Sequence, residues 1–279
     1  MRTNFFFLFI IITILDAGAQ TIVTPSTNAM LFIQDKTIYY YSTDLMNDPK
    51  NYEVIKVIDP SQETLEKNGT ALCIHSNDYL ECIAYTNNYF ILDKKSINKY
   101  SDLKVKSYGT KISAFTDPFA DEIYIFDHYG KIGKWATLTL GGGVNDNTKV
   151  VNFGDGCLIY DFDADYLYGF SSGKENTFNK YTKSDFTSND FKVISSTQKC
   201  VILFSDAEDM LIAYSAIKNQ WYHIPFGSGG IQDCNGIQGS ENLLIFSQSA
   251  DKAFLFNPNS TVGFLQINGL GSNNFLWTN

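Results

Sequence analysis

Asp161, Asp163 and Asp165 stand at alternate positions in "DFDADYLYGF" (161–170). Carboxylates so spaced can converge on one hard cation, as at the start of a calcium loop. A loop of the EF-hand kind also needs glycine at its sixth position and glutamate at its twelfth. Those positions hold Tyr166 and Ser172. The run is therefore expected to be a turn, its carboxylates accepting hydrogen bonds from backbone N–H groups.

Other residues able to do chemistry are sparse. His75, His128 and His223 have no metal-ligand spacing and no nearby Cys or His partner. No nucleophile elbow, Gly-rich phosphate loop or H-E-x-x-H motif occurs. "TLGGG" (139–143) opens no helix and reads as a loop. Trp135, Trp221 and Trp277 are expected to pack outer strands rather than form ligand platforms.

Cys73 and Cys82 flank one turn on adjacent strands and can bridge if directly opposite. Cys200 is expected to reach Cys234 in the Gly-rich loop 228–240, leaving Cys157 buried. The alternative, in which some or all are buried thiols, stays open. Sequons at Asn68-Gly69-Thr70 and Asn259-Ser260-Thr261 are expected glycosylation sites in a secreted chain.

The elements that must position these residues repeat along the chain. "TIYYYS", "ECIAYT", "EIYIFD", "YLYGFS", "MLIAYS" and "KAFLFN" share one shape. Their last aromatics are Tyr41, Tyr85, Phe126, Phe170, Tyr214 and Phe256, spaced by 44, 41, 44, 44 and 42 residues. Two positions earlier each has a large apolar residue: Tyr39, Ile83, Tyr124, Tyr168, Ile212 and Phe254. One position later each has a small polar turn former: Ser42, Thr86, Asp127, Ser171, Ser215 and Asn257. An apolar run and a turn bearing an Asp precede each copy, so each unit opens with a hairpin. The turn residues are Asp35, Asp78, Asp121, Asp165, Asp209 and Asp251.

A third and a fourth run follow, as in "KIGKW" (131–135) and "KVVNF" (149–153). Four short strands per unit of about 43 residues is the signature of a propeller blade. The expected fold is all-β, a six-bladed β-propeller with four-stranded antiparallel blades spanning residues 20–279. "TIVT" (21–24) and "NFLWT" (274–278) compete to complete the sixth blade from the opposite terminus, the N-terminal segment being the expected one.

The third unit, "ISAFTDPFADEIYIFDHYGKIGKW", resembles the YWTD repeats of low-density-lipoprotein-receptor-type propellers. Asp117-Pro118, Tyr124, Asp127 and Lys131-Ile132 carry the likeness; the other five units replace the final Asp by Ser, Thr or Asn. "YSAIKNQWYHIPF" (214–226) is similar to kelch repeats without their Gly-Gly pair. The YWTD resemblance implies an extracellular, six-bladed, protein-binding fold.

Composition narrows the function classes. Arg2, the run Phe5 to Leu15 (apolar except for Thr13) and Ala17-Gly18-Ala19 read as a signal peptide over residues 1–19. No second long apolar run follows, so no membrane insertion is expected. The net charge of −9 without basic runs argues against nucleic acid. The expected role is a secreted, non-enzymatic binding module for an extracellular protein or glycan, with no cofactor. Loops 227–240 and "GGGVNDN" (141–147) are its expected contact loops. The alternative is a calcium-dependent esterase or lactonase, its metal held by Asn28, Asp155, Glu241 and Asn242.

Overall fold

A computed structural model describes residues 21–25, 29–42, 53–68, 71–86, 89–99, 103–128, 134–161, 164, 166–174, 177–181, 191–227, 234–247, 249 and 251–269. These form six four-stranded antiparallel sheets, the blades of a β-propeller. Sheet one comprises β1 (Thr21–Pro25), β2 (Ala29–Gln34), β3 (Thr37–Ser42) and β4 (Glu53–Val57). Sheet two comprises β5 (Thr64–Asn68), β6 (Ala71–His75), β7 (Tyr79–Thr86) and β8 (Tyr89–Ser96). Sheet three comprises β9 (Lys104–Tyr108), β10 (Ile112–Asp117), β11 (Glu122–Asp127) and β12 (Lys134–Thr139). Sheet four comprises β13 (Lys149–Asn152), β14 (Gly156–Asp161), β15 (Tyr166–Ser171) and β16 (Phe178–Lys180). Sheet five comprises β17 (Phe191–Ser196), β18 (Cys200–Ser205), β19 (Met210–Ser215) and β20 (Gln220–Pro225). Sheet six comprises β21 (Cys234–Gln238), β22 (Leu243–Ser247), β23 (Lys252–Phe256) and β24 (Phe264–Asn268).

The strand frame differs from the sequence expectation by one position. Each expected hairpin forms the two middle strands of a sheet, not its first two. "KVVNF" contributes β13, which pairs with β14 and so opens sheet four rather than closing sheet three. Strand exchange between termini is corrected for the same reason: β1 pairs with β2, and sheet six is complete from β21 to β24. Residues 274–278 and the signal segment 1–19 lie outside the described residues.

Sheets one and two belong to one compact unit, and sheets three to six to a second. In the first unit Leu31, Ile38 and Ile58 pack against Leu72, Ile74 and Ile83. The Lys56 ammonium on β4 lies 2.5 Å from a carboxylate oxygen of Glu81 on β7 and 3.0 Å from one of Glu63. In the second unit each neighbouring pair of sheets shares an apolar layer. Ile123, Ile125 and Ile159 are among those between sheets three and four. Tyr160, Leu203 and Tyr214 lie between four and five, and Phe204, Phe226 and Phe254 between five and six.

This layering sets the burial pattern. Every residue of β10, β14, β18 and β19 is buried, because a middle strand is covered on both faces. The outer strands β12 and β20 each hold one buried residue among exposed and half-buried ones.

The hairpin turns follow their aspartates. Asp35, Asp121, Asp209 and Asp251 take left-handed φ of 47°, 55°, 47° and 50°. Asp tolerates this region better than most residues because its short polar chain can bond locally. The carbonyls of Asp121, Asp209 and Asp251 then accept the N–H of Leu140, Phe226 and Gly269, each just past the fourth strand. The turn thus ties down the C-terminal end of the outer strand.

Candidate functional site

Asp161 is a turn residue. Its carboxylate accepts the backbone N–H of Ala164 at 3.3 Å and, across a loop, that of Gly142 at 3.3 Å. Asp163 and Asp165 lie outside the described residues. Asp117 occupies the same position in sheet three, accepting Phe119 N–H at 3.0 Å and Ala120 N–H at 3.2 Å.

Of the alternative calcium set, Asp155, Glu241 and Asn242 are among the described residues. Asp155 lies in the turn between β13 and β14, where its two carboxylate oxygens meet Lys111 Nζ at 2.8 Å and Lys199 Nζ at 2.5 Å. Burial works against the charge, but the two ammonium groups hold the Asp155 carboxyl below its ordinary value. A carboxylate already flanked by two cations is a poor start for a divalent site. Glu241 and Asn242 are exposed on the turn before β22. There the Asn242 carbonyl receives Gly239 N–H at 2.9 Å, and the Glu241 carbonyl receives the Thr197 hydroxyl at 3.4 Å. Asn28 lies outside the described residues. No cluster of three His, Cys, Asp or Glu able to hold a metal occurs among the described residues.

Cys73 and Cys82 are directly opposite in the β6–β7 ladder, with sulfurs 2.9 Å apart. Cys200 and Cys234 are not brought together. The Cys200 sulfur lies 3.4 Å from the Glu241 carbonyl, beside the turn that follows β21. Cys234 begins β21 at its other end, about 13 Å along the strand. The segment expected as a continuous loop contains this strand, and residues 228–233 lie outside the described residues. Its strand was hidden because β21 is largely exposed and lacks an apolar pattern. Gly236 also sits where an added Cβ would meet the Ser195 side chain at 3.0 Å. Cys157 is buried between sheets three and four.

The histidines join no cluster of three metal-binding groups among the described residues. His128 is buried, with Nε2 3.2 Å from the Ser113 hydroxyl and no hydrogen-bond partner at Nδ1 among the described residues. Burial pushes its pKa down to about 3. A neutral, enclosed Ser–His pair with no group orienting the imidazole is packing, not a catalytic dyad. Trp135 packs on Phe115 and Phe126, while Trp221 donates its indole N–H to the Asn179 carbonyl at 2.8 Å. Trp277 lies outside the described residues.

The small polar residues that close each third strand do more than form turns. In the second unit they join one sheet to the next. Asp127 accepts the Ser172 hydroxyl at 2.6 Å and Gly173 N–H at 2.7 Å. The Ser171 hydroxyl meets the Tyr214 hydroxyl at 2.7 Å, and Ser215 donates to the Pro258 carbonyl at 2.7 Å. The repeated column was the only sequence signal for this role.

One end of the second unit carries the hairpin turns and the 141–147 loop. That loop is held by Asp121, which accepts Val144 N–H at 3.0 Å, and by the Asp161 contact with Gly142. Beside it Phe119 is 55% exposed and Tyr166 is 38% exposed, with the Lys180 ammonium over the Tyr166 ring. Carboxylates dominate this end among the described residues: Asp117, Asp121, Glu122, Asp146, Asp161, Asp206, Glu208, Asp209 and Asp251 against Lys104, Lys149, Lys180, Lys192 and Lys252. The opposite end reverses the balance, with Lys111, Lys134, Lys174, Lys199 and Lys218 against Asp127, Asp155 and Glu241.

At the sequons, Asn259 is exposed in a turn, its N–H bonded to Asn257 Oδ1 at 2.9 Å. Asn68 ends β5 opposite Ala71, across two residues that lie outside the described set.

No family model matches the chain, and no curated protein matches it in sequence. Similar solved structures include Hsv2 from Kluyveromyces lactis, at 11% identity over 88% of this chain and 84% of that one, with TM-score 0.34. A streptogramin B lyase is 9% identical over 91% and 83%, with TM-score 0.35. AztD from Citrobacter koseri is 8% identical over 90% and 71%, with TM-score 0.38. At these identities and scores the likenesses transfer neither activity nor ligand.

Proposed function

We propose that the chain is a secreted, non-enzymatic binding module that receives the cationic surface of an extracellular protein. The contact end is the acidic one, at the hairpin turns and the 141–147 loop of the second unit. The observation that supports this most is the charge polarity between the two ends of that unit. A surface of one sign steers and selects a partner of the other. Phe119 adds an exposed ring beside Asp121 and Glu122, able to receive an ammonium group as Tyr166 receives Lys180.

The test is titration of a lysine-rich peptide and of a neutral glycan set against the protein, each at low and high salt. The reading expects peptide binding that weakens as salt rises and in D146K. Salt-insensitive glycan binding that D146K leaves intact would replace it with a lectin. N-terminal sequencing of the exported protein, expected to begin at Gln20, tests secretion separately.

A further inference from the structure

We infer that Cys73 and Cys82 form an intramolecular disulfide across β6 and β7. The inference is independent of the binding reading. Three observations carry it.

The two residues are register partners, so their Cβ atoms face each other on one side of the ladder. Their sulfurs already touch at 2.9 Å, and both side chains are buried. The remaining cysteines belong to sheets four, five and six. Cys157 sits in the layer between sheets three and four, and Cys200 in that between five and six. Cys234 opens a strand at the end away from Cys200.

The chemistry is thiol–disulfide exchange with a low-molecular-weight disulfide such as oxidised glutathione. The thiolate of one cysteine attacks a glutathione sulfur, forming a mixed disulfide and releasing one glutathione. The second thiolate attacks the protein sulfur of that mixed disulfide, forming the bridge and releasing the second glutathione. Two thiols lose two protons and two electrons, and one small disulfide becomes two thiols. Burial raises the Cys82 thiol well above its ordinary value, so the packed pair is a poor nucleophile. The bond therefore forms while the β6–β7 hairpin is still open.

The test refolds reduced, denatured protein in a glutathione redox buffer, then alkylates it in denaturant without reductant. Cys73 and Cys82 should stay unlabelled until reductant is added. Cleavage at Asp78, between the two, should leave the halves joined. Labelling of both Cys73 and Cys82 without reductant, or a bridge from either to a third cysteine, would overturn the inference. Reductant should also lower Tm by about 5–10 °C in the wild type. The same shift in a C73A/C82A double variant would equally overturn it.

Discussion

The Tyr214 ring fills the space that any side chain at Gly169 would need. A Cβ built on Gly169 would stand 2.2 Å from the Tyr214 ring, and the Tyr214 hydroxyl reaches on to Ser171 at 2.7 Å. The two residues belong to neighbouring sheets. Gly169 is therefore set by the next blade and not by its own strand, where glycine is unfavourable.

Gly169→Ala should destabilise the protein by about 1–3 kcal/mol through overpacking. Urea unfolding of the variant checks this. An unchanged midpoint would mean that the ring moves aside freely.

The latch residues should differ in strength according to charge. Asp127→Ala removes two bonds to a carboxylate and should cost about 2–3 kcal/mol. Ser215→Ala removes one neutral bond and should cost about 1 kcal/mol. Equal, near-zero effects in parallel denaturation curves would return these residues to the role of turn formers.

Asp155→Asn should leave Lys111 and Lys199 partly buried without their shared counter-charge. Since all three groups retain some solvent contact, the expected loss is only about 1–2 kcal/mol. The folded-state pKa of Asp155 lies below its unfolded value of 3.8. Its stabilisation is thus complete above that value and fades as pH falls through the lowered folded pKa. Thermal melts of wild type and variant should differ most near neutral pH and converge in strong acid.

His128 should make stability fall between about pH 6.5 and pH 3. Its folded pKa is depressed to about 3 from 6.5, so across that window the unfolded state binds a proton that the folded state refuses. The slope from this one group approaches about 1.4 kcal/mol per pH unit. Stability above the window should be flat with respect to it. His128→Gln should remove that slope, whatever it does to stability at neutral pH, and a pH series of denaturation midpoints for both proteins decides the matter.

Much of the fold was readable from short-range pattern. The aromatic column ending at Phe170 and Tyr214, the apolar residue two before it and the Asp turns marked six hairpins. Such features depend on neighbours a few residues away: a strand alternates, a turn needs a residue that tolerates left-handed φ, and a buried strand is apolar throughout. The exposed strand β21 escaped for the converse reason, having no apolar pattern to reveal it.

The candidate site was less legible. Asp155 stood out as an oxygen ligand, and only the approach of Lys111 and Lys199 from adjacent turns made it the centre of an ion triad. The charge polarity of the second unit likewise spreads over residues far apart in the chain.

The sequence by itself determined the number of blades, the hairpin at the centre of each and the aspartates that turn them, because strand and turn formation are local. Tertiary structure decided that Ser171 meets Tyr214 and that Asp155 lies between two lysines. Those pairings depend on strand register and on how one sheet stacks against the next, which residues separated by about one blade cannot specify until the intervening chain has folded.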